Sequence, residues 1–427
     1  MNKAHYLDLA YQFRKSKLWK KIFENELFAV RLPEHPNQSG DADDTIGYCC
    51  LMGRYSEHFA LAVYIGAGAF STFRRIAGKT LNEITDSLTP DQMEAMLSQD
   101  CIQCSLEKKD QFSPQELDEL RAYCKASGAP FRTPYPQFIR YRPFCMPWEV
   151  TDQSDWKAIE TALTVLFKME ETMRKSGKAA LGLHPIDVTP NSETYASEQL
   201  GLFEEPANIA EDVSIPLFSL VDGALKIERI PLPPFTDSTL SPPPRLNDLA
   251  VARIARRRKK GMLECEVMRV QTPIDGNPPY IPAVLFAVRE DGSLIPPAIG
   301  TGPIYDTTEM LNSFLENLSN RYPRTIRVRS EAARVLLTEF CKKAKIQLKV
   351  ENNLPLIDQA MDEMMDLLNS DEGAKMAEEL DEMIAMLDAM PLQQLRMLPD
   401  DLLDQMLDAE VLLPTGLVKK LRKVRGR

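Results

Sequence analysis

Between Pro231 and Pro244 the chain places six prolines in fourteen residues. Proline fixes φ and removes a backbone donor, so this stretch is predicted to run extended and cannot pair inside a sheet. It divides 427 residues into two folding problems, in keeping with domains of about 100–200 residues each. Hydrophobic residues make up 44% and charged residues 26%. That balance supplies a core to each part and is not that of a disordered chain.

Ahead of the prolines the pattern is mixed α and β. Ala4–Ser16 and Leu18–Glu24 read as short helices, while Leu27–Arg31, Thr45–Met52 and His58–Ile65 have the β-branched and aromatic content of strands. Gly53–Glu57 suits a hairpin turn, and a helix over Ala69–Ile76 is predicted to stop at Gly78. Thr89-Pro90-Asp91-Gln92 and Ser113-Pro114-Gln115-Glu116 each join a capping hydroxyl to a first-position proline and a capping-box partner. A helix over Pro114–Ala126 follows from the second. Cys101–Leu106 and Phe138–Arg142 are predicted strands, and Asp155–Lys175 a long amphipathic helix. Gly182–Asp212 is polar and weakly periodic. Asp222-Gly223, between Ile215–Val221 and Ala224–Ile230, is a strong hairpin signal.

Beyond the prolines the predicted order is helix Leu246–Arg257, strands Met262–Val270, Ala283–Val288 and Ser293–Ile299, then helix Thr307–Asn320. Strand Thr325–Val328, helix Glu331–Ala344, strand Ile346–Val350 and helix Pro355–Leu368 complete it. Strands separated by helices predict a mixed sheet with right-handed crossovers. Asp371–Met390 then sets Met376, Leu380, Met383, Ile384 and Leu387 at helical spacing. Met361–Leu412 holds fifteen acidic residues against two basic ones, and nine of the nineteen methionines, before a tail of Lys419, Lys420, Arg422, Lys423, Arg425 and Arg427. The expected fold is α/β (α+β), two mixed-sheet domains followed by a C-terminal helical arm. An N-terminal domain spans 1–178, and an irregular arm, hairpin and Pro-rich linker span 179–244. The second domain spans 245–369, and an acidic Met-rich arm with a basic tail spans 370–427.

Trp19–Arg75, with Phe59–Gly66 leading into a helix, and Phe138–Trp148 with its spaced prolines resemble an uncharacterised bacterial domain family. Tyr322-Pro323-Arg324-Thr325-Ile326-Arg327-Val328, with Leu354-Pro355-Leu356-Ile357-Asp358 after it, resembles a second such family. Chains of this kind pair the two, some with a cysteine-rich SEC-C zinc tail. Nothing here matches that tail, so the resemblance implies architecture and no zinc site, and it brings no activity.

The chemistry-bearing residues are sparse. Gly66-Ala67-Gly68-Ala69-Phe70-Ser71 follows a strand and opens a helix, as a dinucleotide fingerprint does. Ser71 in third place and the lack of an acidic residue about 20 positions on favour a plain strand-to-helix turn. Cys101-Ile102-Gln103-Cys104 has CxxC spacing, but residues three apart on a strand point to opposite faces, and no second pair completes four zinc ligands. Cys49-Cys50 is a weaker candidate still. The eight cysteines sit mostly in apolar segments, as buried thiols of a reducing compartment do. Neither His58 nor His184 has an identifiable partner, and no G-x-S-x-G elbow or Walker-type loop occurs. No cofactor, metal ligand or catalytic residue is assigned.

Three functional readings follow. A net charge of −11 repels phosphate backbones and anionic lipid, no apolar run is long enough to span a bilayer, and Met1–Tyr11 lacks the core of a signal peptide. The chain is therefore read as cytoplasmic, with no membrane partner. The preferred reading is a non-catalytic binding or adaptor protein that recognises protein partners through Met376, Met383, Met386 and Met390, because methionine suits adaptable apolar surfaces. The plainer alternative for that stripe is the core of a small bundle. A second reading is a divalent-metal nuclease, since the second domain's element order is reminiscent of the ribonuclease H-like arrangement. Paired metals need converging carboxylates midway along a central strand. Ala283–Val288 offers none, Asp291 falls in a turn, and Glu264 and Glu266 are expected on a solvated face or near Asp306. A third, less favoured reading is RNA binding through residues 253–260, with Arg256, Arg257 and Arg258 as phosphate contacts. The sequence sets no oligomeric state.

Overall fold

The computed structural model describes residues 3–33, 45–54, 58–80, 90–186, 188, 213–236, 241–270, 272–319, 321–368, 370, 375, 382–399, 402–403, 406–407, 413 and 415–426. The chain forms two compact units, Met1–Pro143 with Pro147–Thr239, and Phe144–Met146 with Leu240–Arg427. Among the described residues no helix is long and apolar enough to cross a membrane.

The first unit carries helices α1 (Lys3–Ser16), α2 (Gly66–Thr80), α3 (Pro90–Leu97), α4 (Pro114–Ser127) and α5 (Gln153–Ser176). Its strands are β1 (Phe28–Arg31), β2 (Ile46–Met52), β3 (Phe59–Ile65), β4 (Cys101–Glu107), β5 (Tyr135–Tyr141), β6 (Trp148–Glu149), β7 (Ser214–Val221) and β8 (Ala224–Pro231). They form one sheet in the order β6-β5-β4-β3-β2-β1-β7-β8, antiparallel except where β1 meets β7. β2 and β3 are apolar along their length because both faces of the sheet are covered. Cys49, Leu51, Leu61 and Val63 join Phe13, Trp156, Ile159 and Leu163 in one core, while Tyr48, Cys50, Ala62 and Tyr64 join Phe70 in the other.

Three expectations need correction here. The hairpin expected in an irregular arm outside the N-terminal domain is part of the sheet: β7 runs parallel to β1, with Leu217 opposite Ala29. Its residues have a place in both cores, Leu217 on one face and Phe218 on the other, and so extend the sheet. Helix α2 runs through Gly78 to Thr80, since glycine weakens a helix interior by about 1 kcal/mol without ending it. Of Leu18–Glu24 only the 3-10 turn Leu18–Lys20 is helical. The Asp222-Gly223 turn has φ of 51° and 76°, the two positive values that a tight hairpin of primed type requires. Thr89, part of the Gly53–Glu57 turn and most of Gly182–Asp212 lie outside the described residues.

In the second unit α6 (Asp248–Ala255) precedes β9 (Met262–Arg269), β10 (Ala283–Arg289) and β11 (Leu294–Ile299). Then come α7 (Thr307–Asn317), β12 (Thr325–Val328), α8 (Glu331–Ala344), β13 (Gln347–Val350) and α9 (Pro355–Leu368). The sheet order is β11-β10-β9-β12-β13, with β9, β10 and β11 antiparallel and β12 and β13 parallel to β9. β9 is therefore central. Leu263, Cys265 and Val267 face the core built with α6, α7 and α8, whereas Val288, Leu354 and Ile357 pack on the α9 side. The C-terminal arm has α10 over residues 382–389, α11 (Leu392–Leu395) and α12 (Thr415–Arg425). A separate small core joins Leu387, Leu395, Leu403, Leu407, Leu417 and Leu421.

Candidate functional site

Two side chains on β9 break its apolar pattern. Glu264 and Glu266, two residues apart and hence on one face, are 0% and 4% exposed. The expected solvated face is thus wrong, and so is the expectation that the central strand lacks carboxylates, because that strand is β9 and not Ala283–Val288. Each acid is held by groups the fold brings to it. Helix α9 opens with Pro355, and its first N–H groups need acceptors. Glu264 Oε2 accepts from the N–H of Leu356 at 2.8 Å and of Ile357 at 3.2 Å, which places a carboxylate at the positive end of the helix. In the parallel register Arg327 stands opposite Glu264, with Nη1 3.9 Å from Oε1 and 3.4 Å from Glu351. Glu264 Oε1 and Arg327 Nε are both buried without a hydrogen-bond partner. Arg329 Nε donates to Glu266 at 3.0 Å, Ser330 N–H donates to its other oxygen at 3.2 Å, and Arg329 Nη1 reaches Asp358 at 3.0 Å. Burial pulls the Arg329 guanidinium down, but Asp358 and Glu266 outweigh it and hold it above its ordinary value. The cluster is a cation–carboxylate ladder in which Glu264 Oε1 and Arg327 Nε stay without a hydrogen bond.

The other acids of the nuclease reading serve their own neighbourhoods. Asp291 accepts from the Ser293 N–H and hydroxyl in the β10–β11 turn, and Asp306 caps α7 by accepting from Thr308 and Glu309 N–H. Glu264 and Glu266 share a face; Asp291 and Asp306 do not join them. Among the described residues no group of three or more His, Cys, Asp or Glu side chains is arranged to hold a metal ion. Arg256, Arg257 and Arg258 are exposed just past α6, where Lys259 Nζ donates to the Ile254 and Ala255 carbonyls at 3.3 and 3.1 Å. That is cationic capping of a helix C-terminus.

In the first unit, β3 is antiparallel to both neighbours, and Gly66–Ser71 follows it directly as the first residues of α2, with Ser71 Oγ accepting from the Thr236 N–H. Cys101 and Cys104 face opposite cores, and burial pushes the Cys101 thiol to about 12. His58 Nδ1 does have a partner, Glu107 at 3.2 Å. Sequence reasoning missed a buried charge cluster altogether. Arg140 Nη1 reaches Asp100 at 2.6 Å and its Nε lies 3.4 Å from Asp155, both Arg140 and Asp155 being buried. No local spacing announces it, because β4, β5 and α5 meet only in the folded sheet.

The arm presents the reverse situation. Met383 and Met386 on α10 are 48% and 56% exposed, and Met397 is 84% exposed. Met390 packs partly against the leucine core, and Met376 lies outside the described residues. The buried side chains are leucines; the three exposed methionines stand outside that core.

Residues 4–184 match the family model of DUF7309, a domain of unknown function. Residues 250–365 match that of DUF6930, a second domain of unknown function. The chain carries these two domain families in that order. No curated protein matches it. Among solved structures it is similar to the HTLV-2 integrase catalytic core domain in complex with magnesium (trimeric form), at 14% identity over 40% of this chain and 86% of that one. The TM-score of 0.21 is too low for that likeness to bear on chemistry.

Proposed function

We propose that this protein is a non-catalytic, cytoplasmic binding protein that recognises protein partners through its C-terminal arm. The observation that carries the reading is the exposure of Met383 and Met386 on a helix whose Ile384 and Leu387 already fill the arm's core. A small bundle that used methionine as core would bury them. Flexible, polarizable side chains held at a surface suit binding of varied apolar partners. All eight cysteines are free and buried, in keeping with a reducing compartment. The nuclease reading loses its main support, since a metal at Glu264 and Glu266 would have to displace two guanidinium groups and a helix cap. The RNA reading rests on the basic cluster 253–260 at a helix end, in a chain of net charge −11.

A photo-crosslinking residue at position 386 of the full chain tests the proposal, with one at Lys226 on β8 as the control. Crosslinking of a discrete protein from 386 and not from 226 is expected. Equal yields at both positions would count against the arm as the recognition surface.

A further inference from the structure

Among the described residues β6 and β8 end the first sheet, and β11 and β13 the second. An edge strand leaves a row of N–H and C=O groups open to pairing, which short strands and prolines close. β6 has two residues, β13 has four, and β11 carries Pro296 and Pro297. β8 has eight residues, and its one proline is the last, Pro231. The register with β7 shows which of its groups are open. Pro216 stands opposite Arg229 and Pro231 opposite Ser214, and a residue with no N–H cannot belong to a pair that exchanges both hydrogen bonds. In the alternate set, Leu232 N–H donates to the Val213 carbonyl at 2.8 Å. Ala224, Lys226, Glu228 and Ile230 are therefore the residues bonded to β7. Leu225, Ile227 and Arg229 turn their N–H and C=O to the free side, where no described strand follows.

We propose that β8 pairs antiparallel with β8 of a second copy of this chain, about a two-fold axis at Ile227, so that one sheet runs through both subunits. Ile227 then meets its own copy and Leu225 meets Arg229 of the second copy, each pair joined through the open backbone groups. Charge fixes the register. With the axis at Ile227, Lys226 falls opposite Glu228 of the second copy, and Glu228 opposite its Lys226, in the pairs where side chains stand closest. Both side chains already lie at this edge, 3.0 Å apart within one chain. Moving the axis by one residue sets Lys226 against Lys226 or Glu228 against Glu228, and moving it by two sets Arg229 against itself or leaves Lys226 opposite Ala224. On the other face Ile227, 39% exposed, is covered by the Ile227 of the second copy. This self-match is what selects a second copy over an unrelated strand. It is independent of the arm, and the control residue at position 226 then joins this chain to itself and to no other protein.

Sedimentation velocity of the full chain across a dilution series tests the proposal. A reversible dimer is expected. Lys226→Glu and Glu228→Lys, each placing like charges opposite one another, should raise its dissociation constant about tenfold or more. The double variant Lys226→Glu/Glu228→Lys restores both pairs in the same register and should dimerise like the parent. Mixing the two single variants should restore a dimer holding one chain of each. Ile227→Pro removes an open N–H and no bond to β7, and should leave a folded monomer by circular dichroism. If that variant fails to fold, the charge variants still decide. A monomer at every concentration up to the solubility limit overturns the proposal, as does a dimer indifferent to the single charge reversals. Failure of both the double variant and the mixture to restore the dimer overturns it too.

Discussion

Glu264 on β9 and Met386 on α10 depart from the usual rules of burial in opposite directions. The carboxylate is 0% exposed and the thioether side chain 56%. Around Glu264 the fold supplies two N–H donors and a guanidinium; around Met386 the leucine core closes without it. A buried charge is tolerated only when its neighbours answer it, so the acids of the second unit read as parts of a scaffold. An exposed apolar side chain on an already satisfied helix has no such structural duty. That contrast is why function is sought at the arm and not at the sheet.

The largest expected effect would break the contrast if absent. Glu264→Ala leaves two helix N–H groups without their acceptor and takes the buried carboxylate from beside Arg327, and it should destabilise the second unit by about 3–5 kcal/mol. Glu264→Gln, which keeps an acceptor, should cost about 1–3 kcal/mol. Urea unfolding with hydrogen exchange at β9 amides measures both, and a neutral alanine variant would mean the ladder is not structural. Arg140→Met extends the test to the first unit. It takes the guanidinium away from Asp100 and from buried Asp155 and should cost about 3 kcal/mol on the same grounds.

A smaller effect separates buried ion pairs from exposed ones. The hydrogen bond to Glu107 holds His58 above its usual 6.5 although burial opposes it, and the same contact holds Glu107 below its usual 4.5. A raised histidine lends stability fully below its unfolded value and loses it as pH climbs through the folded one. A lowered carboxylate lends stability above its unfolded value and loses it as pH falls through the folded one. The pair therefore contributes most between about pH 4.5 and 6.5. With the imidazole 41% exposed, His58→Ala should cost under about 1 kcal/mol there and less at pH 8. A penalty that grew toward pH 8 would contradict the pairing. The smallest effect belongs to Met383→Ser/Met386→Ser, expected within about 0.5 kcal/mol of the parent in thermal unfolding. A large loss would put those methionines in the core after all.

Local signals were legible in the sequence, and distant ones were not. The capping box at Ser113 and Glu116 forms as expected, with Oγ accepting at 3.3 Å and the reciprocal bond at 2.7 Å. Thr325–Val328, Glu331–Ala344 and Pro355–Leu368 have the bounds that their periodicity predicts. The burial of Glu264 depends on Arg327 of a strand 63 residues further along the chain and on a helix start 92 residues along, and no periodicity encodes a parallel register. In the same way β7 reads as half of a hairpin, while its pairing with β1 rests on contacts across most of the unit. The methionines were conspicuous by composition. Whether they face in or out depends on which of the leucines from 387 to 421 fill the core, and the heptad-like spacing of one helix does not decide that.

Capture of partner protein by the full chain, compared side by side for Met383→Ser/Met386→Ser and for Glu264→Gln, is the most direct measurement. Loss of capture in the methionine pair, with capture by the glutamine variant retained in proportion to its folded fraction, is the predicted result. Intact capture by the methionine pair together with loss in folded Glu264→Gln would move the working surface to the sheet and contradict the division drawn between them.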